Sequence, residues 1–230
     1  GRGLRLHPGT ALVGTFGERV EPWTGAIQTR YSDQFSDQGD GYGTKFETVP
    51  IHFAMPASAF GWEGPAAHKA TLARLSHSSI VGLLLRDRDA GRVTTGRDGI
   101  PRVHYDLSDH DVGHLRTGLR GAAEVLAAAG AAEIFSIQQP PVRVTTGESG
   151  WLDRLCDAMD GRGYTKCRMS YISFHQMASC AMGSDPARSV IGETGETHEL
   201  KSLYVADASA FVTSSGVNPM ITIMAIADHV

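Results

Sequence analysis

The sequence predicts an α+β fold, an antiparallel sheet flanked by helices, with a strand–helix segment at the C-terminus. Three observations carry this. Val93-Thr94-Thr95 and Arg102-Val103-His104-Tyr105 flank Gly96-Arg97-Asp98-Gly99 and read as a hairpin with Asp-Gly turn chemistry. Residues 108–129 repeat Val112, Leu115, Leu119, Ala122 and Leu126 at three- and four-residue steps, the spacing of an amphipathic helix. The tail places a short apolar run, Leu203-Tyr204-Val205-Ala206, before an apolar stretch from Met220 to Val230.

In chain order, residues 1–50 are rich in glycine and turn formers, with extended pieces at 11–13 and 45–49. Gly39 to Lys45 lacks Gly-Lys-Ser/Thr and precedes a β-like run, so a solvent loop is favoured over a phosphate loop. His7, just before Pro8, is read from the residues alone as shaping a turn. Residues 65–76 have helical spacing, and Ile80 to Leu85 form a core strand. Ser108 with Asp111 three positions on is a capping arrangement for the long helix, which Gly130 stops. Ile134-Phe135-Ser136 is a short strand, and 151–159 a short amphipathic helix ending at Gly161-Arg162-Gly163. The expected organisation is a Gly-rich connecting segment over 1–50, a domain over 51–174 and a C-terminal segment over 175–230.

At 230 residues with 41% hydrophobic content, the chain can bury a core. Net charge is −4 with scattered basic residues, which argues against a nucleic-acid partner. No apolar run approaches the ~20 residues of a membrane span, and no signal peptide heads the chain. A cytoplasmic or peripherally membrane-associated location is therefore expected. Cys156, Cys167 and Cys180 form no C-x-x-C pair and read as free thiols. His110 and His114 share one helix face, but with no third ligand in view they read as surface histidines, not a metal site.

The chemistry concentrates in the tail. The strand reading of 203–206 puts Asp207 at a carboxyl end, where α/β proteins hold ligands. Asn218 is a good N-cap and Pro219 a good first residue for the final helix, whose free N–H groups and dipole would favour an anion. His175 offers a proton acceptor with a pKa near neutrality.

Three separated segments, His175-Gln-Met-Ala-Ser-Cys-Ala-Met-Gly183, Leu203-Tyr-Val-Ala-Asp-Ala-Ser209 and Gly216-Val-Asn-Pro-Met-Ile-Thr-Ile223, occur in this order. The sequence resembles the C-terminal half of glucose–methanol–choline (GMC) flavin oxidoreductases, most of all the long-chain alcohol oxidase branch. The resemblance implies FAD as cofactor, an alcohol as substrate, oxygen or another acceptor as oxidant, a substrate-binding role for 51–174 and a catalytic, FAD-contacting role for 175–230. It also implies that His175 is the base and that Asn218 orients the hydroxyl. Asp207 and Ala208 would touch the ribityl–pyrophosphate region, and Pro219 and Met220 the pyrimidine side of the ring system. Ala178 and Ala181 depart from the Gly and Arg usual at these sites. No G-x-G-x-x-G occurs, so the expectation is part of a larger enzyme whose N-terminal FAD-binding portion is the partner. The alternative is a truncated, non-catalytic fragment or binding module that keeps the scaffold.

Overall fold

The structure is a computed structural model that describes residues 1–49 and 52–230. The expected boundary between residues 50 and 51 lies outside the described residues. In chain order the strands are β1 (Arg2–Leu4), β2 (Gly9–Thr15), β3 (Tyr31–Ser32), β4 (Thr44–Thr48), β5 (Ser78–Leu85), β6 (Gly91–Thr95), β7 (Pro101–His104), β8 (Glu133–Ser136) and β9 (Arg143–Thr145). The helices are α1 (Ala54–Ala59), α2 (Pro65–Ala73), α3 (Asp109–Ala128), α4 (Trp151–Arg162) and α5 (Met220–His229). Short 3-10 turns cover Leu75–His77 and Ala208–Ala210.

The chain gathers into two compact units, both discontinuous in sequence, whereas the sequence reading divides it linearly. One unit combines Gly1–Pro8, Arg86–Asp111 and Ser173–Val230; the other combines Gly9–Leu85 and Val112–Ile172. The second will be called the sheet unit and the first the motif unit.

In the sheet unit, six strands pair antiparallel in the order β3-β4-β5-β2-β8-β9. Strand β2 bonds to β5 along its whole length, from Gly9↔Leu84 to Thr15↔Ser78. Its buried side chains include Leu12 and Val13, with Leu83 and Leu85 from β5 and Ile134 from β8. The apolar stripe of α3 supplies Leu115, Leu119, Ala122 and Leu126 to the interior, the face its spacing predicts. Gly118 and Gly121 let α3 approach closely: a methyl at the first would collide with Thr44, and at the second with the Phe35 ring.

The ends of α3 match the sequence expectation. The Ser108 hydroxyl accepts from Asp111 N at 3.2 Å. At the other end, Gly130 takes φ +92° and Ala131 N returns to Leu126 O at 3.0 Å, closing the last turn. Helix α4 runs one turn beyond its expected end, to Arg162, and Gly163 at φ +88° caps it.

In the motif unit, β1, β6 and β7 form a separate three-stranded antiparallel sheet. The predicted hairpin is present, with Gly99 at φ +77° and the Asp98 carboxylate accepting from Ile100 N at 3.1 Å. It does not extend the larger sheet.

Two expectations for the tail are corrected. Residues 203–206 are not a buried strand: Leu203 and Tyr204 are about half exposed, and the segment makes only an isolated bridge, Glu196↔Tyr204. Apolar composition misled here because these side chains face outward. Nor does Asn218 cap the last helix. Pro219 occupies the cap position of α5, and no side chain caps it.

Candidate active site

The site is built from segments far apart in sequence but all within the motif unit. Just past β1, Arg5 and Met177 exchange two backbone bonds, Arg5 N to Met177 O at 2.9 Å and Met177 N to Arg5 O at 2.8 Å. This bridge lays the His175 segment beside residues 5–7. The Ser173 hydroxyl donates to Leu6 O, and the Gln176 amide donates to Ser173 O at 3.1 Å.

At the centre of this arrangement, His7 Nδ1 and His175 Nδ1 lie 2.9 Å apart, with ring centroids separated by 5.1 Å and planes tilted by 51°. His7 is fully buried and His175 partly so. The backbone of His7 sits in the left-handed region, φ +52°, a conformation costing an L residue on the order of 1–3 kcal/mol. Its compensation is visible. The Asp87 carboxylate, itself fully buried, accepts from Leu6 N at 2.9 Å and His7 N at 3.1 Å, and from the Tyr105 hydroxyl at 2.9 Å. Burial and the Asp87 charge push the Tyr105 phenol well above its usual range, so it stays a donor to that carboxylate.

From His175 the chain passes through Ala178, at φ +63°. That torsion gives a physical reason for glycine at this site, and the alanine is accommodated in a buried position. A short ladder follows: Ala178 N to Ala208 O at 3.1 Å, Cys180 N to Ser209 O at 2.9 Å, and Met182 N to Ala210 O at 3.0 Å. The first two motif segments are thereby stitched together. Asp207 opens the 3-10 turn, its exposed carboxylate accepting from Ser209 N at 2.8 Å and Ser209 Oγ at 2.6 Å.

The third segment joins through apolar packing. Met177, Ala178 and Phe211 form a buried cluster against which Ala208, Ile223 and Ile226 pack, the last two from α5. Gly216, at φ +71°, turns the chain into α5 beside the Arg86 side chain, whose Nε donates to Ser214 O at 3.2 Å. Pro219 is buried, whereas Asn218 and Met220 are exposed. With no side-chain cap, the first-turn N–H groups of α5 have no acceptor within the helix.

All six residues singled out from the sequence, His175, Asp207, Ala208, Asn218, Pro219 and Met220, thus lie on segments held by one ladder and one apolar cluster. Sequence reasoning missed His7, Asp87 and Tyr105 as members of this arrangement. The available signal was the histidine before Pro8, which the residues alone assign to a turn. It makes that turn and also touches His175. Away from the site, His114 Nε2 lies 3.0 Å from the Asp40 carboxylate.

Comparison with known proteins decides the family. The family model described as GMC oxidoreductase matches residues 87–227, well over half of the chain. The chain belongs to the GMC oxidoreductase family. Among the GMC relatives, the long-chain-alcohol oxidase FAO4A of Arabidopsis thaliana is 32% identical over 99% of this chain and 32% of its own length. The long-chain-alcohol oxidase FAO3 of the same plant is 30% identical, again over 99% of this chain and 32% of its length. The chain therefore spans about a third of the curated relatives it matches. Two solved structures share the fold. Pyridoxine 4-oxidase from Mesorbium loti aligns with TM-score 0.58 at 17% identity, covering 99% of this chain and 42% of that one. Formate oxidase aligns with TM-score 0.60 at 16% identity, covering 99% and 45%. As in other stretches of this chain, no helix among the described residues is long and apolar enough to cross a membrane.

Proposed function

We propose that this chain supplies the alcohol-handling end of a flavin-dependent oxidoreductase acting on CH–OH groups, with a long-chain or other hydrophobic primary alcohol as substrate. The observation that carries the reading is the convergence of the three motif segments on one ladder and one apolar cluster within the motif unit. The plant relatives, long-chain-alcohol oxidases, support the substrate class.

The residues present fit FAD. The uncapped first turn of α5 offers backbone donors suited to an electron-rich ring edge. Around it, Val217, Met220 and Ile221 expose apolar surface suited to a flat aromatic system. Pro219 and Met220 would hold the ring side, and Asp207 and Ala208 the ribityl–pyrophosphate side. When bound, FAD supplies the acceptor for the hydride that leaves the alcohol carbon. His175 takes the hydroxyl proton as the C–H bond breaks, giving an aldehyde. Asn218, exposed and not engaged as a helix cap, orients the alcohol oxygen through its side-chain amide. Oxygen or another acceptor would be the final oxidant, and the remaining N-terminal portion of the same protein would provide the rest of the FAD site. Exposed Phe174, Val212 and Met224 extend the apolar surface available for that portion to cover.

Anaerobic stopped-flow reduction of the full-length protein by a long-chain alcohol tests this. His175→Ala should slow reduction by about 10²- to 10⁴-fold with flavin content unchanged. Asn218→Ala should slow it by about 10- to 100-fold. Reduction at the parental rate in His175→Ala would remove the base assignment. A full-length protein without flavin absorbance would favour the non-catalytic scaffold.

A further inference from the structure

We propose that His7 is the positioning residue for His175: it accepts a hydrogen bond from His175 Nδ1–H and so reserves His175 Nε2 for the substrate proton. This inference rests on the reading of His175 as the base.

The geometry demands a choice of tautomer. At 2.9 Å the two Nδ1 atoms must share a hydrogen, since two bare lone pairs or two N–H groups would repel at that distance. If His7 donated, neutral His175 would carry its own proton on Nε2 and could not accept there. If His175 donates, its Nε2 lone pair is available and His7 carries its proton on Nε2. Only the second arrangement makes His175 a base at the ring nitrogen remote from His7.

The surroundings of His7 hold its backbone in place. Its left-handed backbone is held by the paired Leu6 and His7 amides on Asp87, and Asp87 is held in turn by Tyr105. The positive charge of Arg5 partly opposes the upward push that burial and Asp87 exert on Tyr105. Strain compensated from several directions at a residue touching the reacting group is the pattern of a functional position. A neutral imidazole acceptor on His175 Nδ1 carries no formal negative charge, and the hydrogen bond between the rings strengthens when His175 becomes charged. In the step itself, one proton moves from the alcohol oxygen to His175 Nε2. The Nδ1 proton stays on His175, still bonded to His7.

Neutron diffraction from deuterium-exchanged crystals of the full-length holoenzyme tests the assignment without turnover. Deuterium is expected on His175 Nδ1 and on His7 Nε2; deuterium on His7 Nδ1 pointing at a bare His175 Nδ1 would overturn the proposal. Kinetics gives a second arm. His7→Leu should lower the rate of flavin reduction by about 10- to 100-fold with alcohol binding little changed. His7→Asn tolerates the left-handed backbone and retains a side-chain acceptor, so it should recover most of that loss. Equal losses in the two variants, or a loss confined to alcohol binding, would count against it. If His175→Ala reduces its flavin normally, the base reading fails instead, and the deuterium positions still report whether the two rings share the proton as drawn.

Discussion

The two units differ in how they use their apolar residues. The sheet unit closes on itself: Leu12, Leu83, Leu85, Leu115, Leu119, Ile134, Leu155 and Met159 are all fully buried or nearly so. The motif unit keeps a smaller cluster at Met177, Ala178 and Phe211 and turns much of its apolar surface outward. Phe174 is 71% exposed, Val212 70%, Ile221 69% and Met220 66%. Outward apolar side chains of this size and density mark a surface made to be covered. One unit is therefore organised mainly by its own interior, whereas the other leaves more of its apolar surface outward.

That contrast can be broken by experiment. Leu119→Ala, in the sheet unit, should cost about 2–5 kcal/mol in chemical denaturation of this chain; a cost below 1 kcal/mol would mean the interior is looser than drawn. Alkaline pH should act next most strongly. Burial, reinforced by Asp160, raises the Tyr164 phenol from its ordinary 10.0, and burial with Asp87 does the same for Tyr105. Both stay protonated in the folded chain at pH values where the unfolded chain has lost the proton. Stability is thus full below the unfolded value and falls above pH about 10, by ~1.4 kcal/mol per pH unit for each tyrosine. Tyr164→Phe should flatten its share of that slope, and an unchanged slope would contradict the burial. The smallest effects belong to the outward face. Ile221→Gln should shift stability by no more than about 0.5 kcal/mol, and Asn218→Ala likewise, because Pro219 and not Asn218 takes the cap position of α5. A loss near 1 kcal/mol for Asn218→Ala would instead restore the capping role that its position before Pro219 suggests.

The same contrast explains what was legible in the residues. Helix α3 was readable to within a residue at each end because its stripe, its Ser108 cap and its Gly130 stop are local and mutually consistent. The 93–105 hairpin was readable for the same reason, although its membership of a separate sheet was not, since pairing partners such as β1 lie some ninety residues away. Residues 203–206 failed because an apolar run implies burial only when the chain itself supplies the cover. The three motif segments pointed to the site through their order, not through periodicity. Asp87 and Tyr105 gave no sign: a carboxylate at a strand end and a tyrosine before a helix are unremarkable until the fold brings the Leu6 and His7 amides onto one and the hydroxyl of the other beside it.

The spacing of the His7 network also bears on how the protein assembles. Leu6 meets Asp87 across 81 positions, and His7 meets His175 across 168. Closing loops of that length is slow compared with forming a hairpin or one helix. On a translating ribosome, the imidazole pair has to wait until residue 175 has emerged, long after β2, β4 and β5 are available to one another. Refolding should therefore recover strand signal well before it recovers the two-histidine contact, leaving a lag in which the strands are paired and the two rings are still apart.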